Sequence, residues 1–144
     1  RVAVVRSVTG RSNSIIEQVA LTHYIDGGDF ARHLRASRGV YMQRRDRLLS
    51  ELRATPAGSL TVTGEHAGFH IVLWLPQHCS ERAIVDAVRG QGVHVEGLGA
   101  FSHSHPMPPA LIAGYASLDD TGIVEAARVI GDAVPPVPRR VNGA

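Results

Sequence analysis

The sequence contains no lysine, so all 15 of its basic residues are arginines. This excludes any reaction in this chain that needs a lysine amine. Cys79 is the only cysteine, which excludes an internal disulfide framework and is typical of proteins from a reducing compartment. We therefore expect a cytoplasmic protein.

Long apolar runs are also missing. No stretch approaches the roughly 18 apolar residues of a membrane-spanning helix, and residues 1–14 lack the apolar centre of a signal peptide. Hydrophobic residues make up 44% of the 144 residues, which is enough for one ordinary core. The formal charge of +2 is small for a nucleic-acid-binding protein. We expect no membrane or nucleic-acid partner.

Hydrophobic spacing and turn residues predict the order of the elements. Two helices come first, of which the first is capped by Asn13 or Ser14 and stopped by Gly27 and Gly28. Then follow a hairpin of SLTVT and GFHIVLWLP, a helix capped by Ser80, a strand VHVEGL, a proline-rich loop, a strand ALIAGYASL and a last helix. This order predicts an α/β (α+β-like) fold, with a small, mainly antiparallel sheet of three to four strands and helices packed on one face.

The second predicted helix, with Asp29 as its cap, carries seven arginines up to Arg53. An apolar stripe runs along its whole length and comprises Phe30, Leu34, Tyr41, Leu48 and Leu52. The arginines could contact phosphates, but Asp46 and Glu51 interrupt them, so we interpret them as the solvated face of an amphipathic helix. Arg45 lies nearest the apolar stripe, and we expect it to form a structural ion pair.

Metal-ligating residue types occur around the proline-rich loop and the strand before it. They are His94, Glu96, His103 and His105. Zinc and nickel bind such groups, but the spacing matches no established metal motif, and we interpret these residues as ordinary surface residues.

Two further pairs of residues are weak candidates for a metal site or a catalytic site. His66 and His70 have a spacing that converges only on a helix, whereas this segment is predicted to be a strand. Cys79 precedes a predicted helix N-terminus, next to His78, but neighbours in sequence need not meet in space. The sequence contains no G-x-S-x-G, no P-loop and no G-x-G-x-x-G after a strand.

Several blocks follow one another along the chain: EQVALTHYIDGGDFARHLRASRGVYMQRRDRLLSEL, EHAGFHIVLWLP, and GVHVEGLGAF followed by ALIAGYASL. In this order they resemble the C-terminal lobe of the MocR-type regulators. These regulators of the GntR superfamily join a winged-helix DNA-binding domain to a fold type I, aminotransferase-like domain that holds pyridoxal 5′-phosphate (PLP). The resemblance covers about residues 17–133, and its most specific elements are G-D-F-A-R-H-L-R and R-R-D-x-L.

The resemblance implies that this chain is the small domain of such a protein. In the family, the arginine-rich helix joins the large domain to the small one, and a separate domain binds DNA. The lysine that holds PLP, the aspartate that pairs with its pyridine nitrogen and most phosphate ligands belong to the large domain. A chain without lysine cannot form the covalent bond to PLP.

This sequence also departs from the family because it lacks the carboxylate-binding arginine. Related enzymes often use an arginine close to the last strand to bind a substrate carboxylate. This sequence has no arginine between Arg89 and Arg128, and Pro108-Pro109-Ala110-Leu111 offers no replacement.

The sequence therefore assigns no catalytic, cofactor-binding or metal-binding residue, and predicts a domain at 14–134 between an arm at 1–13 and a Pro/Arg-rich tail at 135–144. PLP is expected only in a full-length parent, where this domain would join an aminotransferase-like large domain and a homodimer, and would serve amino-acid or PLP sensing or transamination. The fragment alone is expected to be inactive. The alternative is a stand-alone interaction or dimerisation module on the same scaffold. A third hypothesis, nucleic-acid binding through Arg32, Arg35, Arg38 and Arg44, is not favoured.

Overall fold

A computed structural model describes residues 14–66, 68–102 and 104–136. The predicted arm at 1–13 and most of the predicted tail lie outside these residues. The chain divides into two compact units on either side of the bond between Gly39 and Val40. Of the described helices, none combines the length and the apolar character needed to cross a membrane.

The first unit contains helix α1, Ile15–Asp26, and the beginning of helix α2, Asp29–Arg53. Gly28 joins the two helices with a φ of 77°, a value that costs glycine little. The predicted cap at Ser14 is not formed, because its side chain makes no capping hydrogen bond. Asp29 is the first residue of α2 and not its cap, since the Arg32 N–H donates to the Gly28 carbonyl at 3.1 Å. None of the residues of α1 is buried.

The apolar stripe of α2 is covered over only part of its length, which corrects the expectation of a continuous packed face. Leu48 and Leu52 are buried, together with Leu49. Phe30 and Leu34, near the beginning of the helix, are exposed. The amphipathic pattern therefore predicts the helix correctly but not which of its turns are buried.

The second unit contains an antiparallel sheet of four described strands in the order β1, β2, β4, β3. Their bounds are β1 Thr61–Thr63, β2 His70–Trp74, β3 Glu96–Gly97 and β4 Ala110–Gly114. Thr61 pairs with Trp74 in the predicted hairpin, and Leu73 pairs with Leu111 across the centre of the sheet. The strand expected over VHVEGL is only two residues long. Leu98–Phe101 turns into a 3₁₀ helix directly after it, as does Pro56–Ser59 after α2.

Helices α3, Glu81–Gly90, and α4, Asp120–Ala133, cover one face of this sheet. The core cluster includes Ile71, Leu73 and Leu111 from the strands, Ile84 and Val88 from α3, and Ile123, Ala127 and Ile130 from α4. Ser80 and Asp119 cap the two helices, because their side chains accept hydrogen bonds from the Ala83 and Gly122 N–H groups. The predicted fold, an antiparallel sheet with helices on one face, is confirmed.

Candidate functional site

Arg45 forms the ion pair expected from its position beside the apolar stripe. Its Nη2 atom lies 2.7 Å from the Asp46 carboxylate, and its Nη1 atom donates to the Glu65 carbonyl at 2.8 Å. The Arg45 side chain is only 20% exposed. These contacts attach α2 to the β1–β2 turn, which is a structural role.

Other arginines of α2 in the second unit also make contacts within it. Arg44 donates to the carbonyl of Ala116, just beyond β4, and Arg47 pairs with Glu51 at 3.0 Å. An arginine does therefore lie next to the last strand in space, although none lies near it in sequence. Its guanidinium donates to this main-chain carbonyl and thereby braces the strand end.

The histidines do not form a metal site with the other described residues. His94 Nε2 lies 2.9 Å from Glu96 Oε1, and Arg89 Nη2 lies 3.0 Å from Glu96 Oε2, so both oxygens of this carboxylate already have partners. His66 faces the Glu65 carboxylate at 3.7 Å. No group of three metal-ligating side chains occurs within the described ranges. His103 lies outside them.

Cys79 is half-buried against the hydrophobic core, whereas His78 is exposed. The Cys79 N–H donates to the Pro76 carbonyl at 2.9 Å, in the turn before α3. The Ser80 hydroxyl accepts the Ala83 N–H at the start of that helix. This arrangement gives Cys79 a packing role.

A cleft of about 730 Å³ opens in the second unit where β3 and β4 separate. Apolar groups dominate its lining, among them Leu48, Val95, Ile112, Ala126 and Ile130. Its described lining carries charge and imidazole groups at a few positions only, namely His70, His94, Glu96 and Glu125. None of the described lining residues is an arginine. The volume is within the range of small-molecule sites, roughly 300–1,000 Å³.

Glu125, on the α4 side of the cleft, is held as a carboxylate by Arg128. Arg128 Nη2 and Nε donate to its two oxygens at 2.6 and 3.0 Å, and Arg128 Nη1 also contacts Asp132 at 2.8 Å. The hydrogen bonds from Arg128, together with its positive charge, lower the pKa of Glu125. The same pair raises the pKa of Arg128. Glu125 therefore presents a negative charge at neutral pH.

Glu81, which sequence reasoning missed, joins three parts of the fold. From the first turn of α3, its Oε1 accepts the Gly99 N–H at 3.0 Å and its Oε2 accepts the Ala110 N–H at 2.9 Å. A Cβ atom on Gly97 would lie 2.3 Å from Oε1, so only glycine leaves room for this carboxylate. The signal in the sequence is Gly97-x-Gly99 following a helix that begins with glutamate. A sequence pattern of this kind does not give distances in space, so the sequence alone does not predict this contact.

The fold is that of the aminotransferases. The chain matches kynurenine aminotransferase from Pyrococcus horikoshii with a TM-score of 0.78 and 22% identity, over 89% of this chain and 31% of that one. It matches the α-aminoadipate aminotransferase LysN from Thermus thermophilus with a TM-score of 0.70 and 24% identity, over 79% of this chain and 29% of that one. Those structures contain PMP and N-(5′-phosphopyridoxyl)-L-leucine respectively.

Sequence comparison leads to the MocR-type regulators. The chain is 34% identical over 114 residues to the probable rhizopine catabolism regulatory protein MocR of Rhizobium meliloti, which is 78% of this chain and 23% of that protein. It is 27% identical over 107 residues to the HTH-type transcriptional regulator YhdI of Bacillus subtilis, which is 74% of this chain and 23% of that protein. No family model matches the chain. The resemblance to an aminotransferase-like domain of MocR-type regulators is thus confirmed, and the chain spans about a quarter of the length of these relatives.

The residues of this chain do not by themselves fit PLP, the cofactor that the fold implies. The sequence offers no lysine amine for the covalent bond. The cleft presents carboxylates and imidazoles, and its described lining lacks the arginine that would pair with a phosphate. We therefore derive no cofactor chemistry from this chain.

Proposed function

We propose that this chain is the small lobe of a PLP-dependent, aminotransferase-like transcriptional regulator, and that it is inactive alone. In the parent protein, a large lobe would hold the cofactor through a lysine. The small lobe would close over the cofactor site when an amino-acid-like effector binds, and the parent would form a homodimer. Transamination by the parent is a compatible activity. We place the parent in the cytoplasm, in accord with the regulator relatives of this chain and with the single cysteine of its 144 residues.

The exposed apolar side chains of α1 carry this proposal. Ile15 and Ile16 are 78% and 81% exposed, and Val19, Leu21, Tyr24 and Ile25 are exposed as well. A folded monomer seldom leaves so many large apolar side chains uncovered on one short helix. Because the chain spans only 23% of its regulator relative from Rhizobium meliloti, the remaining part of a parent is the natural cover for these side chains.

The same observation supports a second candidate, a stand-alone dimerisation module in which two copies cover each other's α1. An isologous pair of helices is a common way to close such a surface. The two candidates differ in the strength of self-association. A surface selected to contact a different lobe should pair weakly with itself, whereas a dedicated dimer interface should resist dilution.

Sedimentation velocity of the 144-residue chain over a concentration series distinguishes the candidates. We expect a monomer at low micromolar concentration and reversible association as the concentration rises. Ile16→Glu on α1 should abolish the association, whereas the control Val124→Glu, at an exposed apolar position of α4, should not change it. A chain that stays monomeric throughout would contradict the docking role of α1. A dimer that persists at nanomolar concentration would favour the dimerisation module.

A further inference from the structure

The edge of β4 is open at Gly114, where the cleft begins. The Leu75 N–H donates to the Pro109 carbonyl at 2.9 Å and the Tyr115 N–H to the Phe69 carbonyl at 3.0 Å. Since alternate residues of an antiparallel strand direct their main-chain groups to opposite neighbours, Ile112 and Gly114 direct theirs away from β2, toward β3.

The pairing with β3 stops before it reaches Gly114. Glu96 pairs with Ile112, and the ladder does not extend to His94, the residue that would lie opposite Gly114. Among the described residues, the Gly114 N–H and carbonyl are therefore left without a main-chain partner. Gly114 lines the cleft, and we infer that these two groups are available to a ligand.

The charged groups of the lining determine whether a positively or a negatively charged ligand group is favoured. Glu96 and Glu125 are the charged residues of the described lining. Each forms an ion pair with an arginine, Arg89 and Arg128 respectively, that does not line the cleft. A carboxylate can accept further hydrogen bonds beyond those from its arginine. A cationic ligand group thus finds acceptors here, while an anionic group would face two carboxylates.

We propose that this cleft binds a small molecule with an apolar or aromatic body and a protonated primary amine. The body contacts apolar side chains of the lining that keep accessible surface, Phe69, Ile112 and Leu118, and the amine donates to the Glu125 carboxylate and the Gly114 carbonyl. The cleft adjoins the end of β4, whereas Pro108-Pro109, where the related enzymes' carboxylate clamp is expected, precedes its beginning. The site is built from residues of the second unit alone, so the proposal does not depend on the function proposed above.

Calorimetric titration of the 144-residue chain with matched probes tests the proposal. The probes are 2-phenylethylamine, the neutral 2-phenylethanol and the anionic 3-phenylpropionate. We expect the amine to bind saturably, with a dissociation constant about tenfold lower than that of the alcohol, because one charge-assisted hydrogen bond is gained. The anion should not bind.

Three variants locate the binding. Glu125→Gln should weaken amine binding about tenfold. Asp132→Asn removes the other carboxylate that contacts Arg128, but it does not line the cleft, so binding should not change. Ser117→Trp places an indole on an exposed position of the lining and should abolish binding. Thermal melting of each variant checks that it is folded.

Several results would overturn the proposal. They are the absence of saturable amine binding, equal affinity for all three probes, or equal loss of affinity in Glu125→Gln and Asp132→Asn. Loss of the preference for the amine in Glu125→Gln, with retained binding in Asp132→Asn, supports it even if Ser117→Trp does not fold.

Discussion

The half-buried side chain of Glu81 holds together two segments that are distant from it in sequence. Its two oxygens hold the main chain at Gly99 and at Ala110, which are the two ends of the proline-rich loop. Hydrogen bonds from main-chain N–H groups to a charged acceptor are among the stronger hydrogen bonds in proteins. We therefore regard Glu81 as the residue that sets the path of this loop.

Glu81→Ala should lower the free energy of unfolding by about 1–3 kcal/mol, because two main-chain donors lose their acceptor. Chemical denaturation gives this value, and hydrogen exchange should increase at the Gly99 and Ala110 amides. The matched control is Asp86→Ala on the same helix. Asp86 has only an exposed ion pair with Arg82 at 3.8 Å, so its removal should cost less than about 0.5 kcal/mol. Equal effects of the two substitutions would refute the role of Glu81.

The Glu125–Arg128 pair makes a prediction about pH. The pKa of Glu125 is lowered from its ordinary value of 4.5, mainly by the hydrogen bond from Arg128. The pair therefore stabilises the folded state above the ordinary pKa of glutamate, and this contribution is lost as the pH falls through the lowered value. An NMR titration should find a low Glu125 pKa in the wild type, and Arg128→Gln should raise it. An unchanged pKa in Arg128→Gln would contradict this assignment of cause.

At the scale of elements, α2 combines two environments in one continuous sequence pattern. Leu52 is 2% exposed and Leu34 is 46% exposed, although both belong to the same apolar stripe. Periodicity identifies the face of a helix, but it contains no information on which turns the rest of the molecule covers. This explains why the bounds of the helix were predictable from sequence and its burial was not.

Leucine substitutions in α2 should differ according to these environments. Leu52→Ala is expected to destabilise the chain by about 2–5 kcal/mol, since it leaves a cavity in the core. Leu34→Ala removes a similar volume from an exposed position and should change stability by less than about 0.5 kcal/mol. Thermal or urea unfolding of both variants measures the difference. A large loss of stability in Leu34→Ala would show that the beginning of α2 is covered in solution.

The strands also show which features the local sequence predicts and which depend on contacts between distant parts of the chain. The β1–β2 hairpin and β4 follow from apolar runs bounded by turn residues, and the structure contains them. β3 is shorter than its sequence suggests, because its pairing stops at Glu96 and the chain turns at Leu98. The cleft arises from this early stop, which depends on three-dimensional register. For that reason no motif in the sequence indicated it.

At the scale of the whole molecule, two independent observations agree. The sequence lacks the lysine that the aminotransferase-like family uses to hold PLP, and α1 exposes six large apolar side chains. Both are expected of a lobe that relies on another part of a larger protein. The resemblance to MocR-type regulators was available from the sequence blocks themselves, whereas the exposure of α1 required the structure.

The measurement that tests this account most directly is the PLP content of two purified proteins, determined by absorbance titration. One is the 144-residue chain, and the other is the complete product of the gene that encodes it. We predict that the complete product holds one equivalent of PLP per polypeptide, while the 144-residue chain gives no saturable band of bound cofactor. Saturable, stoichiometric binding of PLP by the lysine-free chain alone, or its absence from the complete product, would contradict the account.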